Sequence, residues 1–158
     1  MVDTNIWLDL LVFDDAGTRR LAALLQPPPS EPRPYSLQPL QQRPPLQVLA
    51  SDAMRAELAD VITRPQFSLS ETAQAALLAR FDCIVTVTPA ALDCRLPCRD
   101  PDDRKFLDLA IGRRTAWLLS RDRALLAARK HAWARYTVRI GQVPDFYHWL
   151  DAREQAPG

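Results

Sequence analysis

The sequence is poor in the residues on which several common kinds of site depend. It contains four glycines, three cysteines and two histidines among 158 residues. So few glycines leave no glycine-rich loop to cradle a phosphate, and no serine or cysteine nucleophile motif is present. His131 and His148 lie far from any acidic or cysteine pattern, which favours surface or packing roles. These absences turn attention to the acidic residues.

Long apolar runs and paired cysteines are also missing. An odd number of cysteines, at positions 83, 94 and 98, without a signal peptide favours reduced thiols in the cytoplasm. Cys94 and Cys98 are not followed by a second ligand pair at zinc spacing, so we interpret them as packed thiols. No apolar run approaches the roughly 18 residues of a membrane span. We therefore expect a soluble cytoplasmic protein.

Apolar segments alternate between strand-like and helix-like patterns along the chain. Strands are predicted near 1–3, 46–50, 83–87, 116–119 and 136–140, with helices over 6–25, 51–64, 70–81, 101–113, 123–131 and 144–152. Such alternation predicts a single α/β domain over 1–158 with a mostly parallel sheet. Eight of the fourteen prolines fall in 26–45, so this stretch is predicted to be an extended loop insert.

Basic residues are concentrated in the second half of the chain. Residues 99–139 hold 11 of the 20 Lys and Arg residues, although the net charge is only +1. Nucleic acid is therefore a plausible partner, on an excess too mild to prove it.

Four acidic residues stand at the edges of predicted elements: Asp3, Glu57, Asp103 and Asp122. Asp3 and Asp122 follow strands, and functional groups collect at the carboxyl ends of parallel strands. Asp103 shares a helix face with two apolar residues, and Glu57 lies at the margin of an apolar stripe. A pocket of like charges is hard to keep ionised without a divalent cation. The pattern favours a metal-dependent phosphodiesterase.

Each acidic residue also has an ordinary structural interpretation. Asp3, Asp100 and Asp122 suit helix N-caps, with Asp103 at the third helical position. Glu57 also suits a solvated helix face. The site hypothesis depends on all four meeting at one edge of the sheet, which independent caps need not do.

Four segments together resemble the PIN-domain ribonucleases, in particular the VapC-like toxin components of bacterial toxin–antitoxin pairs. The segments are Val2-Asp3-Thr4-Asn5, the Glu57 helix, Cys98-Arg99-Asp100-Pro101-Asp102-Asp103 through Ala110, and Leu118-Leu119-Ser120-Arg121-Asp122. The resemblance implies a Rossmann-like sheet of about five mostly parallel strands with helices on both faces. It also implies a homodimeric, Mg²⁺- or Mn²⁺-dependent endoribonuclease that acts on RNA and is restrained by a cognate antitoxin protein.

The resemblance also implies roles for particular residues. Asp3, Glu57, Asp103 and Asp122 match the metal-binding and catalytic carboxylates, whose oxygens suit hard cations. The supporting polar residues are Asn5, Ser120 and Asp100. Candidate contacts to RNA phosphates, for which solvated helix surface is an equal alternative, are Arg104, Lys105, Arg121 and Arg123.

One departure from the family pattern leaves other functions open. Only Met1 and Val2 precede Asp3, so we expect the first strand to be short and Asp3 to be poorly anchored. The alternative is then a catalytically inactive PIN-fold module that binds RNA or protein. A phosphatase with Asp3 as nucleophile is a third possibility, and Asn5 in place of a second aspartate argues against it.

Overall fold

The computed structural model describes residues 1–25, 46–90, 94 and 96–155. Most of the described chain is helical. The helices are α1 (Thr4–Leu11), α2 (Arg19–Leu25), α3 (Asp52–Ile62), α4 (Glu71–Ile84), α5 (Arg104–Gly112), α6 (Arg123–Ala127), α7 (Arg129–Tyr136) and α8 (Val143–Gln155). The strands are β1 (Val48–Ala50), β2 (Val85–Val87), β3 (Trp117–Leu119) and β4 (Arg139–Gly141). The predicted proline-rich insert at 26–45 lies outside the described residues.

The predicted helix over 6–25 is two helices joined by a tight turn. Asp14 adopts a left-handed backbone conformation with φ of 46°, which ends the helical path. The Asp15 side chain then accepts a 2.8 Å hydrogen bond from the Gly17 N–H and opens the 3₁₀ turn Ala16–Thr18. The apolar residues on both sides of the turn kept a helical spacing, so periodicity alone did not reveal the break.

Other boundaries differ from the prediction for local reasons. Helix α4 continues to Ile84, so the strand predicted over 83–87 is reduced to β2. The helix predicted over 123–131 divides into α6 and α7 at Ala128. The Ser51 cap is confirmed, because its side chain accepts a hydrogen bond from the Met54 N–H.

The expected five-stranded sheet is wrong for the described residues. β1 pairs in parallel with β2, and β3 pairs in parallel with β4. Val2 contributes only an isolated parallel bridge to Leu119. A cavity of about 280 Å³ lies between the two pairs and is lined by residues of both β1 and β3. With only Met1 and Val2 before Asp3, the first strand makes a single bridge and does not join the two pairs into one sheet.

The expectation that Asp3 would be poorly anchored is also wrong. The Asp3 N–H donates to the Leu119 carbonyl at 2.9 Å, and the Leu119 N–H donates to the Met1 carbonyl at 3.0 Å. The Met1 amino group donates to the Trp117 carbonyl at 2.8 Å, and its burial lowers the pKa of that amine to about 5. Three hydrogen bonds thus fix a two-residue strand beside β3.

The helices surround one apolar core. Helix α3 packs against α1, α4 and α5, while α5 and α8 both pack against β3. Leu107 of α5 and Leu118 of β3 are fully buried where these elements meet. None of the helices in the described part of the chain has the length and apolarity that a membrane span requires.

Candidate functional site

The four predicted acidic residues approach one another from four different elements. Asp3 precedes α1, Glu57 lies within α3, Asp103 precedes α5, and Asp122 follows β3. The charge of Glu57 acts on Asp3, and the charges of Asp122 and Asp3 act on Asp103. The fold therefore brings these carboxylates near one another, and we call this group of four side chains the acidic cleft.

The side of the cleft formed by the strand ends is closely hydrogen-bonded. Asp3 is 4% exposed, and its Oδ2 accepts 2.5 Å hydrogen bonds from Ser120 Oγ and from Asn5 Nδ2. Ser120 is fully buried, and its Oγ accepts a 2.8 Å hydrogen bond from the Asp122 N–H. Burial raises the pKa of Asp3, and the hydrogen bond from Ser120 opposes that rise.

Asp122 is both a helix cap and a member of the cleft. Its Oδ1 accepts hydrogen bonds of 2.6 Å from the Ala124 N–H and 3.2 Å from the Leu125 N–H. The capping interpretation is therefore correct for this residue. The cap holds the Asp122 carboxylate in one orientation beside Asp103, so the two interpretations do not compete.

Asp103 lies beside Asp122, at the start of α5, and belongs to the helix side of the cleft. Leu107 and Ala110, on the same helix face, are fully buried, which confirms that this face is directed inward. Burial, followed by the repulsion of the nearby Asp122 carboxylate and the hydrogen bond that this carboxylate accepts, raises the pKa of Asp103 to about 7. Asp103 Oδ2 is buried and has no hydrogen-bond partner among the described residues.

Glu57 forms an ion pair with a lysine, and its buried oxygen accepts no hydrogen bond from the described residues. Lys105 Nζ lies 2.6 Å from Glu57 Oε2. That oxygen is buried and has no partner with hydrogen-bond geometry in the described structure, so the contact is an ion pair only. Lys105 is also a candidate RNA contact, and in the structure its ammonium group forms this ion pair.

The chemistry of the cleft fits a hard divalent cation. All four side chains offer carboxylate oxygens, and two of those oxygens are buried without a hydrogen bond. Within residues 1–25, 46–90, 94 and 96–155, however, no group of three or more His, Cys, Asp or Glu side chains is arranged to hold a metal ion. The donors are gathered, but they do not converge on one point.

The other candidate residues make contacts within the protein. The Asp100 side chain accepts a 2.9 Å hydrogen bond from the Asp102 N–H and so closes the turn before α5. Arg104 Nε lies 3.7 Å from Asp108, which in turn accepts a hydrogen bond from the Cys94 N–H.

Arg121 joins the end of β3 to α1 through a residue that the sequence analysis overlooked. Its guanidinium donates a 3.0 Å hydrogen bond to the buried carboxylate of Asp9, and its backbone N–H donates to Asn5 Oδ1 at 3.2 Å. Asp9 lies one turn after Asn5 on α1, and that i, i+4 spacing is the signal that could have identified it.

An acidic cleft at the ends of parallel strands defines an α/β domain with a site for a cation or a polar ligand. The model of the PIN domain matches residues 1–124, and the chain belongs to this family. PIN domains are usually nucleases and generally use divalent metals. No curated protein and no solved structure matches the chain.

Proposed function

We propose that the protein is a divalent-metal-dependent endoribonuclease that hydrolyses RNA phosphodiester bonds. The observation that carries the proposal is the gathering of Asp3, Glu57, Asp103 and Asp122 in one cleft of a PIN domain, with two buried carboxylate oxygens that accept no hydrogen bond within the described part of the chain. These four residues would hold Mg²⁺ or Mn²⁺. When bound, such an ion supplies an activated water and offsets charge on the phosphate.

The remaining residues of the cleft orient these carboxylates. Ser120 and Asn5 fix the Asp3 side chain from two directions, and Ser120 also positions the Asp122 backbone. Asp103, with its pKa raised to about 7, can hold a proton near neutral pH and donate a hydrogen bond to Asp122. Preorganised ligands of this kind lose little freedom when a cation binds.

We further propose that this enzyme is the toxin of a cytoplasmic toxin–antitoxin pair, that it forms a homodimer, and that a cognate antitoxin protein restrains it. The support is the order and spacing of its motifs, above all Arg99-Asp100-Pro101-Asp102-Asp103. A small open reading frame directly upstream, whose product suppresses the toxicity of this chain on co-expression, is the expected finding.

The decisive experiment measures cleavage of structured RNA by the purified chain with Mn²⁺, with Mg²⁺ and with EDTA. We expect cleavage only with metal, and its loss in Asp3→Asn and in Asp103→Asn. Asp102→Asn, an exposed carboxylate on the same turn as Asp103, is the matched control and should remain active. Products with a 5′-phosphate and a 3′-hydroxyl would agree with metal-assisted hydrolysis.

A second candidate function is an inactive PIN-fold module that binds RNA or protein. The observation that favours it is the Lys105–Glu57 ion pair, together with the lack of a preformed metal-ligand group among the described side chains. A folded protein that cleaves no RNA and whose melting temperature does not change with Mn²⁺ or Mg²⁺ would refute the nuclease and favour the binding module.

A further inference from the structure

Uncompensated positive charge is found on the surface formed by α6 and α7. Arg123, Arg129 and Lys130 line an open concavity of about 480 Å³ together with Leu126 and Ala127. Arg129 and Lys130 are exposed at the start of α7. None of the three basic side chains forms an ion pair with a carboxylate in the described part of the chain.

This surface differs from the basic residues that flank the acidic cleft. Lys105 and Arg121 each have a carboxylate partner, at 2.6 Å and 3.0 Å. Residues 123–144 contain no Asp or Glu at all, whereas five Lys or Arg residues fall there, at positions 123, 129, 130, 135 and 139. The field of this surface is therefore available to an anionic partner.

An exposed tryptophan continues the basic concavity along α7. Trp133 lies three and four residues after Lys130 and Arg129, which places all three on one side of the helix. Trp133 is 45% exposed, and the Arg139 guanidinium lies 4.1 Å from its ring centroid. An indole with this exposure, supported by a stacked cation, suits the flat face of a nucleobase.

The concavity begins beside the acidic cleft. Arg123 directly follows Asp122, the cap of α6, and α7 starts one residue after α6 ends. Along the chain, Asp122 is followed by Arg123, then by Arg129 and Lys130, and then by Trp133. The chain thus presents basic side chains that can contact phosphates, followed by an aromatic ring that can stack on a base.

We propose that Arg123, Arg129, Lys130 and Trp133 form a binding track for single-stranded RNA, with the basic residues on phosphates and the indole on a base. This inference rests on the proposed function only in taking RNA as the ligand. An acidic protein surface would also be attracted by the charge, but several cations beside one exposed aromatic ring are the combination that single-strand-binding grooves use. The aromatic residue therefore favours RNA.

The test measures binding of a fluorescent single-stranded RNA of mixed sequence to the full chain in EDTA, so that cleavage does not interfere. The variant R123Q/R129Q/K130Q should bind at least about tenfold more weakly. Its log–log salt dependence should be less steep by about 2, because each phosphate contact on a single strand contributes about 0.7. The matched control R19Q/R64Q/R80Q changes the charge equally at other exposed positions and should bind like wild type.

Variants at Trp133 test the stacking contact. Trp133→Ala should weaken binding by about 5- to 150-fold, the range found for loss of one base–aromatic stack. It should also remove most of the fluorescence quenching by RNA, since the other three tryptophans are less exposed. Trp133→Phe keeps an aromatic face and should retain most of the affinity. Melting temperatures of all variants show whether each is folded.

Three outcomes would overturn the proposal. The first is equal RNA affinity for R123Q/R129Q/K130Q and its control. The second is unchanged affinity and quenching in Trp133→Ala. The third is preferential binding of polyglutamate, lost in the triple variant and indifferent to Trp133, which would indicate an acidic protein partner. If the track binds RNA but no metal supports cleavage, the nuclease proposal fails and this inference stands.

Discussion

The two sides of the acidic cleft are built on different principles. The strand side, with Asp3, Ser120 and Asp122, is a buried hydrogen-bond network in which each side chain has partners. On the helix side, Glu57 and Asp103 each have a buried oxygen that lacks a hydrogen bond among the described residues, and the pKa of Asp103 is raised to about 7. The difference teaches that the polar groups of the strand side are hydrogen-bonded within the protein, whereas the helix side has these two buried oxygens without hydrogen bonds in the described structure, where we propose that a cation binds.

From this comparison we expect a divalent cation to stabilise the protein strongly by binding the carboxylates of the helix side. At about 100 times the dissociation constant, Mn²⁺ should increase the free energy of unfolding by about 2.7 kcal/mol. The gain should vanish in Asp103→Asn and persist in Asp102→Asn. Thermal unfolding across a millimolar Mn²⁺ titration measures it, and an unchanged wild-type melting temperature would contradict the cation requirement.

Breaking the strand side should destabilise the protein whether or not metal is present. Ser120→Ala removes a fully buried hydroxyl that both donates to Asp3 and accepts from the Asp122 N–H. The expected cost is about 1–3 kcal/mol, because a buried acceptor and donor lose their partner. Cleavage should also fall by about 10- to 100-fold. Chemical denaturation tests the stability, and Ser68→Ala, at an exposed hydroxyl, should have little effect.

Removing the charge of Asp103 on the helix side should stabilise the metal-free protein, whereas Ser120→Ala should destabilise it. Because the pKa of Asp103 is raised on folding, the folded state holds a proton that the unfolded state has lost between about pH 4 and 7. The stability of the wild type should therefore decrease as the pH rises through this window. Asp103→Asn should lessen this decrease and raise the melting temperature at pH 8 by about 2–4 °C, the shift that about 1 kcal/mol produces in a domain of this size.

The result for Asp103→Asn would sharpen the comparison when it is set beside Ser120→Ala. Both variants should lose cleavage activity, whereas their melting temperatures in EDTA at pH 8 should move in opposite directions. A lower melting temperature for Asp103→Asn in EDTA would show that the helix side is satisfied without a cation.

The smallest expected effect concerns the lysine that neutralises Glu57. Lys105→Gln removes an ammonium group from Glu57 Oε2, so Mn²⁺ should bind more tightly. The gain should be less than about fivefold, because partly exposed ion pairs contribute about 0.2–1 kcal/mol. Lys105→Arg keeps the charge and should leave the affinity near that of wild type. Calorimetric titration measures both, and weaker binding by Lys105→Gln would contradict this role.

Local signals predicted much of the fold and some of the site. The Ser51 cap, the inward face of α5 and the α/β class were all readable from short-range patterns. The break between α1 and α2 was not, because a left-handed Asp14 leaves no mark on apolar spacing. The sheet was overestimated, since strand length depends on pairing with distant segments, and the first strand supplies only a single bridge.

The sequence by itself determined which residues have the chemistry of a cation site, because carboxylates at strand ends and on inward helix faces follow from local periodicity. Only the tertiary structure decided that Lys105 neutralises Glu57 and that Arg121 pairs with Asp9. It alone also showed that Arg123, Arg129 and Lys130 have no carboxylate partner among the described residues. Ion pairing depends on distances of a few ångströms between segments that are remote along the chain, and such distances are set by packing.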